Sequence, residues 1–210
     1  WSRMSHARSK IFRPTNIEEI RNNLSWGDIL PRGAGMSFGD AALNNSRNLI
    51  ETVSLVGFQC ITLDRTTGIL LCSSAATQKE ILRLSARQGW VLPAMPGSEN
   101  ITIGGSIAAD GHGKNHYMKG SISQYLISMR VMLGTGEIVD LSRDKGADLF
   151  WVTIGGLGLT GVILSVRLRL QKVSSVYAKH EIHGFNGVDG LIDLIEENID
   201  VRIFGSGTSG

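Results

Sequence analysis

The longest regular alternation of apolar and polar positions runs from Val162 to Gln171, VILSVRLRLQ, and predicts a strand with one buried face. Two shorter runs, YLISMRVML and EIVDLS, are joined by Gly134-Thr135-Gly136 and predict a hairpin. A second hairpin is expected from FQCITLD and GILLCSS. Pairing Asp64 with Gly68 there sets Ile61 against Leu71, Leu63 against Ile69 and Cys60 against Cys72. Helical spacing appears in Thr15 to Leu24, with Ile17, Ile20 and Leu24 on one side, and in Thr77 to Gln88, with Ile81, Leu84 and Leu82 inward and Gly89 as the stop. GADLFWVTI predicts a short helix. Beyond Lys172 the pattern restarts as VYAKHEI (strand), VDGLIDLIEENI (helix) and VRIF. Hairpins with inserted helices indicate an α+β fold rather than a doubly wound parallel sheet. The expected organisation is one domain over residues 1–172, the start of a second over 173–204 and a linker-like tail over 205–210.

Composition narrows the partners. Lys and Arg number 21 against 19 Asp and Glu, a formal charge of +2, with no basic block of the kind that grips nucleic acid. No apolar run approaches the ~20 residues of a membrane span. The opening WSRMSHARSKIFRP lacks a signal-peptide core, so the expectation is a cytoplasmic protein, although the chain begins at Trp1 rather than Met. Two cysteines are too few for a disulfide framework. The hairpin register brings Cys60 and Cys72 together, as a bonded pair or, the ordinary state in a reducing compartment, as two small apolar thiols.

Three segments concentrate glycine: PRGAGMSFGD (31–40), PGSENITIGGSIAADGHG (96–113) and GGLGLTG (155–161). Glycine tolerates positive φ and lets backbone N–H groups converge on an anion, most often a phosphate; it is also the ordinary turn residue. Gly156, Gly158 and Gly161 satisfy the dinucleotide pattern GxGxxG, and Glu181 lies twenty residues further on, but a predicted helix precedes the loop and a strand follows it, the reverse of a Rossmann fingerprint. A Walker A site is excluded because Gly113-Lys114 continues into Asn115.

The three loops, in this order and spacing, resemble the FAD-binding PCMH-type domain of the vanillyl-alcohol oxidase family, and within it the decaprenylphosphoryl-ribose 2-oxidase group. The resemblance covers about Trp1 to Leu170. It implies two α/β subdomains cradling FAD, with the first loop (Arg32, Gly33, Ala34, Gly35, Met36, Ser37 and Gly39) around the diphosphate. Gly97, Thr102, Ile103, Gly104 and Gly105 match positions beside the diphosphate, Ala109, Asp110, Gly111, His112 and Gly113 match the turn beneath the flavin, and Val162 matches a position at the adenine end. Many family members attach the flavin through a first-loop histidine. Met36 stands at that position here, so FAD is expected to be held non-covalently. Phe38 and Leu157 replace a tyrosine and a polar residue of the close relatives.

His112, Lys114 and His116 form the densest titratable cluster. An imidazole and an ammonium beside a flavin can orient a substrate hydroxyl or take its proton, and the resemblance assigns His112 and Lys114 as catalytic candidates, with His116 the more incidental. The plain alternative is a structural hydrogen bond at His112 and solvated Lys114 and His116. A zinc site from His112 and His116 is not expected, because Gly111 and Gly113 oppose a helix and no third ligand is evident. The implied function is the FAD-binding portion of an oxidoreductase that removes hydride from a CH–OH group of a small sugar or polyol. The second reading is a non-catalytic FAD- or nucleotide-binding fragment, and weak or absent turnover is expected of residues 1–210 alone.

Overall fold

The computed structural model describes residues 6–24, 27–55, 60–175, 177 and 182–197. The N-terminal part comprises strand β1 (Lys10–Phe12), helix α1 (Ile17–Leu24), β2 (Ile29–Arg32) and β3 (Asn48–Glu51). The strands form a parallel sheet in the order β1-β3-β2, with α1 as the crossover between β1 and β2. Asn16 Oδ1 accepts a hydrogen bond from the Glu19 amide at 2.9 Å, which satisfies one donor at the start of α1, and Ile20 carries the buried face. No strand pairing was predicted for this stretch, and the sheet it forms is parallel. Its strands have only three or four residues, too few for alternation to register.

The larger part contains β4 (Ile61–Leu63), β5 (Ile69–Ser73), α2 (Gln78–Ser85), β6 (Trp90–Val91), α3 (Ile103–Ala108), α4 (His116–Lys119), β7 (Leu126–Met132), β8 (Ile138–Ser142), α5 (Ala147–Thr153), β9 (Val162–Arg169), β10 (Gln171–Lys172) and α6 (Gly187–Glu197). Five of these strands make an antiparallel sheet in the order β4-β5-β9-β7-β8. The mixture of helices and mixed sheets is the α+β architecture read from the sequence. α5 precedes the third glycine loop and β9 follows it antiparallel to both neighbours, which removes the Rossmann reading.

One apolar cluster, including Leu70, Ile81, Ile103, Ile107, Val131, Phe150 and Val166, packs helices on the inner face of the large sheet. A second joins Ile20, Ile50 and Leu55 to Met132, Val162 and Leu164, tying the small sheet to the ends of β7 and β9. Full burial of such a side chain contributes about 1.5–3 kcal/mol. The second cluster therefore fixes the two sheets against each other far more firmly than an exposed ion pair such as Arg130–Asp140, worth ~0–1 kcal/mol.

Three expectations need correction. The β4–β5 register is one residue away from the one anticipated: Ile61 faces Cys72, Thr62 faces Leu71 and Leu63 faces Leu70. The cause is the turn. The Asp64 carboxylate accepts from the Thr66 amide (2.8 Å) and the Thr67 hydroxyl (2.6 Å), and Asp64 N–H pairs with Ile69 O (2.9 Å), so the loop takes in Gly68. A one-residue slip flips a side chain to the other face. Cys60 is consequently exposed and Cys72 buried, both as free thiols, and burial, with a smaller effect of the Cys60 charge, pushes the Cys72 pKa up to about 12. Second, α2 buries Gln78, Ile81 and Ser85, leaving Leu82 and Leu84 half-buried. Its start is fixed by a capping box between Thr77 and Glu80, and Gly89 closes the following turn at φ 79°. Third, the stretch from Gly97 to His116 is not all loop, because it contains α3 and the start of α4. The predicted VYAKHEI and VRIF strands and the 205–210 tail lie outside the described residues, apart from Tyr177 and Ile182; the predicted helix between the two strands is α6.

Candidate cofactor site

α3 is the hub on which the three glycine loops meet. Thr102 caps it, its hydroxyl accepting from the Gly105 amide at 3.3 Å. A Cβ placed on Gly33 would lie 2.2 Å from that hydroxyl, so the first loop rests directly on the cap. At the other end, the α3 carbonyls of Ile107 and Ala108 accept from the Gly155 (3.0 Å) and Leu157 (2.8 Å) amides of the third loop. That loop touches the first in turn, with a Cβ on Gly158 falling 2.8 Å from Pro31 Cγ. Glycine at 104 lets α3 approach the chain after β5, where Ser74 Cβ would lie 2.8 Å from an added Cβ. Helix α3 was missed in the sequence because IGGSIA has six residues, two of them glycine, and shows no readable period. Its one signal was Thr102 three residues before Gly105.

The loops differ in what their amides do. Ile103 N–H donates to Ala76 O (2.8 Å) and Gly104 N–H to Ser74 O (2.9 Å), and with Gly105 capped by Thr102 these three donors are spent inside the protein. Ile103 is also fully buried in the core. In the first loop the amides of Ala34, Gly35, Met36 and Ser37 have no hydrogen-bond partner among the described residues. Gly35 takes φ 65°, and a Cβ there would strike the Arg32 guanidinium at 2.3 Å. Arg32 is held from behind by Glu51, 4.0 Å away, which also pairs with Arg13 at 2.8 Å. Successive amides without a partner, beside a guanidinium, are the kind of donor set that can receive an anion. Gly39 and Gly97 face open space instead, with nothing within 4 Å of an added Cβ.

The turn Ala109–Gly113 is braced from several sides. Asp110, at φ 42°, accepts through Oδ1 from the Ser123 amide at 3.2 Å, and its Cβ lies against Gly155. Gly111 N–H donates to Ser106 O at 2.7 Å, Gly111 O accepts from Ile122 N–H at 2.9 Å, and a Cβ on Gly111 would meet Ser106 Oγ, itself buried without a partner. Asn115 is buried and its Nδ2 donates to Pro93 O at 3.2 Å, which pins the segment between His112 and His116. The Tyr125 hydroxyl donates to Lys119 O at 2.8 Å, and burial raises its pKa, keeping the phenol a donor. Left-handed backbone is costly for a side-chain-bearing residue, about 1–2 kcal/mol. Asp110 and Leu157, at φ 52°, both adopt it where the second and third loops meet.

His112 and His116 have ring centroids 4.8 Å apart, so the second histidine, incidental in the sequence, is a neighbour of the first. His112 Nδ1 lies 3.3 Å from Gly113 O. His112, Lys114 and His116 are all exposed. Among the described residues no three His, Cys, Asp or Glu side chains are grouped to hold a metal. Val162 is buried in the second cluster and paired to Met132, while β5 pairing stops at Ser165, so its backbone borders the end of the large sheet nearest the small one.

A bound FAD carries two linked phosphates, and the residues present fit such a group: open donors and a cation in the first loop, with the second and third loops braced beside it. Residues 9–142 match the family model described as FAD binding domain. The chain is 32% identical over 150 residues to decaprenylphosphoryl-beta-D-ribose oxidase of Mycolicibacterium smegmatis, covering 71% of this chain and 32% of that protein. It is 24% identical over 170 residues to D-lactate dehydrogenase of Archaeoglobus fulgidus, covering 76% and 38%. With cytokinin dehydrogenase 3 of Arabidopsis thaliana it shares 26% identity over 171 residues, covering 78% and 33%. The chain thus spans about a third of the length of these relatives. With the loop order, the α+β fold and the open first-loop amides already in place, the match over residues 9–142 assigns this chain to the FAD-binding domain family of FAD-linked oxidoreductases.

Proposed function

We propose that this chain is the FAD-holding part of an oxidoreductase that acts on a CH–OH group of a sugar or polyol, with residues 1–172 forming the cofactor domain and 173–204 opening a substrate domain. The observation that carries the cofactor assignment is the set of unpaired amides from Ala34 to Ser37 beside Arg32. These donors take the diphosphate, while Thr102, Gly104 and Gly105 act from behind, by letting the first loop and the β5 end close on α3. Gly97 and Ala109 border the site, while Ile103, Gly113 and Val162, which are buried, support it from behind. Met36 offers a thioether where a histidyl link would need an imidazole, so FAD is held without a covalent bond.

FAD, when bound, supplies a two-electron acceptor for the hydride of the carbinol carbon. The chain's part is proton handling and orientation. With His112 Nδ1–H donating to Gly113 O, Nε2 is the acceptor for the substrate hydroxyl proton. The Lys114 ammonium, two residues on, orients the same hydroxyl and steadies the charge that develops on its oxygen. The sugar or polyol class is supported by the likeness to decaprenylphosphoryl-beta-D-ribose oxidase.

A second reading, FAD binding without turnover by these residues alone, is favoured by the exposure of His112, Lys114 and His116, because electrostatic catalysis in open water is weak. An absorption spectrum of the purified chain, before and after acid precipitation and with added FAD, tests the assignment. A flavin band that leaves with the supernatant is expected. Colourless protein that ignores added FAD would overturn it. A flavin-dependent oxidation of a sugar panel by the loaded chain then separates the two readings.

A further inference from the structure

Apart from the glycine loops, a second concentration of charge lies in a shallow, open depression lined by Arg65, Glu80, Arg83, Leu84, Arg87 and Gln88. Arg83 belongs to α2, Arg87 to the turn that extends it, and Arg65 to the β4–β5 turn. Three guanidinium groups in one concavity repel one another, and Arg83 and Arg87 stand at the i,i+4 spacing where like charges weaken a helix. None of the three forms an ion pair among the described residues. Glu80 is the one carboxylate of the lining and offsets part of this charge, but neither it nor nearby Asp64 pairs with the arginines. Glu80 accepts from the Thr77 amide and hydroxyl, each at 2.8 Å, in the capping box, and Asp64 is spent on Thr66 and Thr67.

The fold also holds this cluster in shape. Gln88 Oε1 accepts from Arg65 Nε at 2.8 Å while its Nε2 donates to Leu84 O at 2.9 Å, so one side chain ties the hairpin turn to the helix. The Trp90 indole donates to Arg65 O at 3.2 Å from below. Arg65 is exposed, and half-buried Leu84 lines the depression together with the arginines.

We propose that this depression docks an acidic segment of a partner protein. A guanidinium matches a carboxylate in fork geometry and is weakly hydrated, which makes Arg the cation of protein interfaces. The openness of the depression suits an extended chain lying across it rather than an enclosed small anion. Charge complementarity selects the partner: three arginines face the single carboxylate of Glu80 in the lining, an excess of positive charge in a chain whose formal charge is only +2. The surface is independent of the cofactor assignment.

The test is fluorescence anisotropy of a labelled ten-residue polyglutamate peptide titrated with the chain at low salt, then at raised NaCl. Saturable binding is expected, weakened at least tenfold by Arg83→Glu/Arg87→Glu and, in direction, by Arg83→Gln/Arg87→Gln. Arg167→Glu/Arg169→Glu changes the net charge equally on the exposed face of β9 and should weaken binding no more than threefold. Circular dichroism melts identify variants that do not fold, and the glutamine pair then carries the comparison. Equal loss in the two glutamate pairs, or no peptide binding at all, would overturn the proposal. So would inorganic pyrophosphate binding in an Arg83- and Arg87-dependent way while the peptide does not.

Discussion

The first and second glycine loops have similar composition and opposite construction. In the first, the amides of Ala34 to Ser37 are open and Gly35 leaves room for Arg32. In the second, the amides of Ile103, Gly104 and Gly105 are all consumed by Ala76, Ser74 and Thr102, and the glycines bring protein against protein. Glycine thus has two jobs here, exposing backbone to a ligand and allowing secondary structure to pack closely, and composition alone does not say which.

The contrast is most sharply broken at Gly33, where the two loops touch. Gly33→Val would drive a Cβ into the Thr102 hydroxyl, displacing both the first loop and the α3 cap. FAD affinity measured by fluorescence titration should fall more than ~100-fold, roughly 3 kcal/mol; an unchanged affinity would refute the meeting of the loops on α3.

Amide hydrogen exchange separates the loops without mutation. Added FAD should slow exchange at Ala34 to Ser37 by about tenfold or more, whereas Ile103 and Gly104 should be protected with or without it. Slow exchange at Ala34 to Ser37 in the FAD-free chain would contradict the open-donor geometry.

Gly104→Ala asks the reverse question. Helix propensity favours alanine by about 1 kcal/mol, but Ser74 Cβ at 2.8 Å and Ser74 O at 3.1 Å oppose it, and the latter accepts the Gly104 amide. A net loss of about 1–2 kcal/mol in urea unfolding is expected, with FAD affinity falling less than at Gly33. Thr102→Ala removes only the cap and should cost about 1 kcal/mol. Thr102→Ser should restore most of it, because the hydroxyl rather than the methyl group satisfies Gly105.

Much of the fold was legible along the chain because its longer elements bury one face each. β9 alternates over eight residues, the Gly134–Gly136 hairpin joins two well-patterned strands, and α1 and α2 carry caps as well as periodicity. What escaped were elements too short to show a period, β1, β3 and α3, the parallel pairing of the small sheet, and the β4–β5 register. In that hairpin Asp64 binds the turn through its side chain, and hydrophobic pattern alone did not reveal the extra residue. Of the candidate site, glycine spacing located the three loops, but it could not tell an open amide from a spent one.

The sequence by itself determined where the apolar faces lie, that an anion-binding glycine framework exists and that Met36 occupies the position of a possible flavin link. Those properties are local: they depend on residue type and spacing. Tertiary structure decided which amides remain free, that Asn115 and Asp110 brace the His112 turn, and that three arginines from separate elements share one depression. The reason is that a hydrogen-bond donor is available only after every distant acceptor has found its place, and that outcome is set by packing around α3 rather than by any neighbour in the chain.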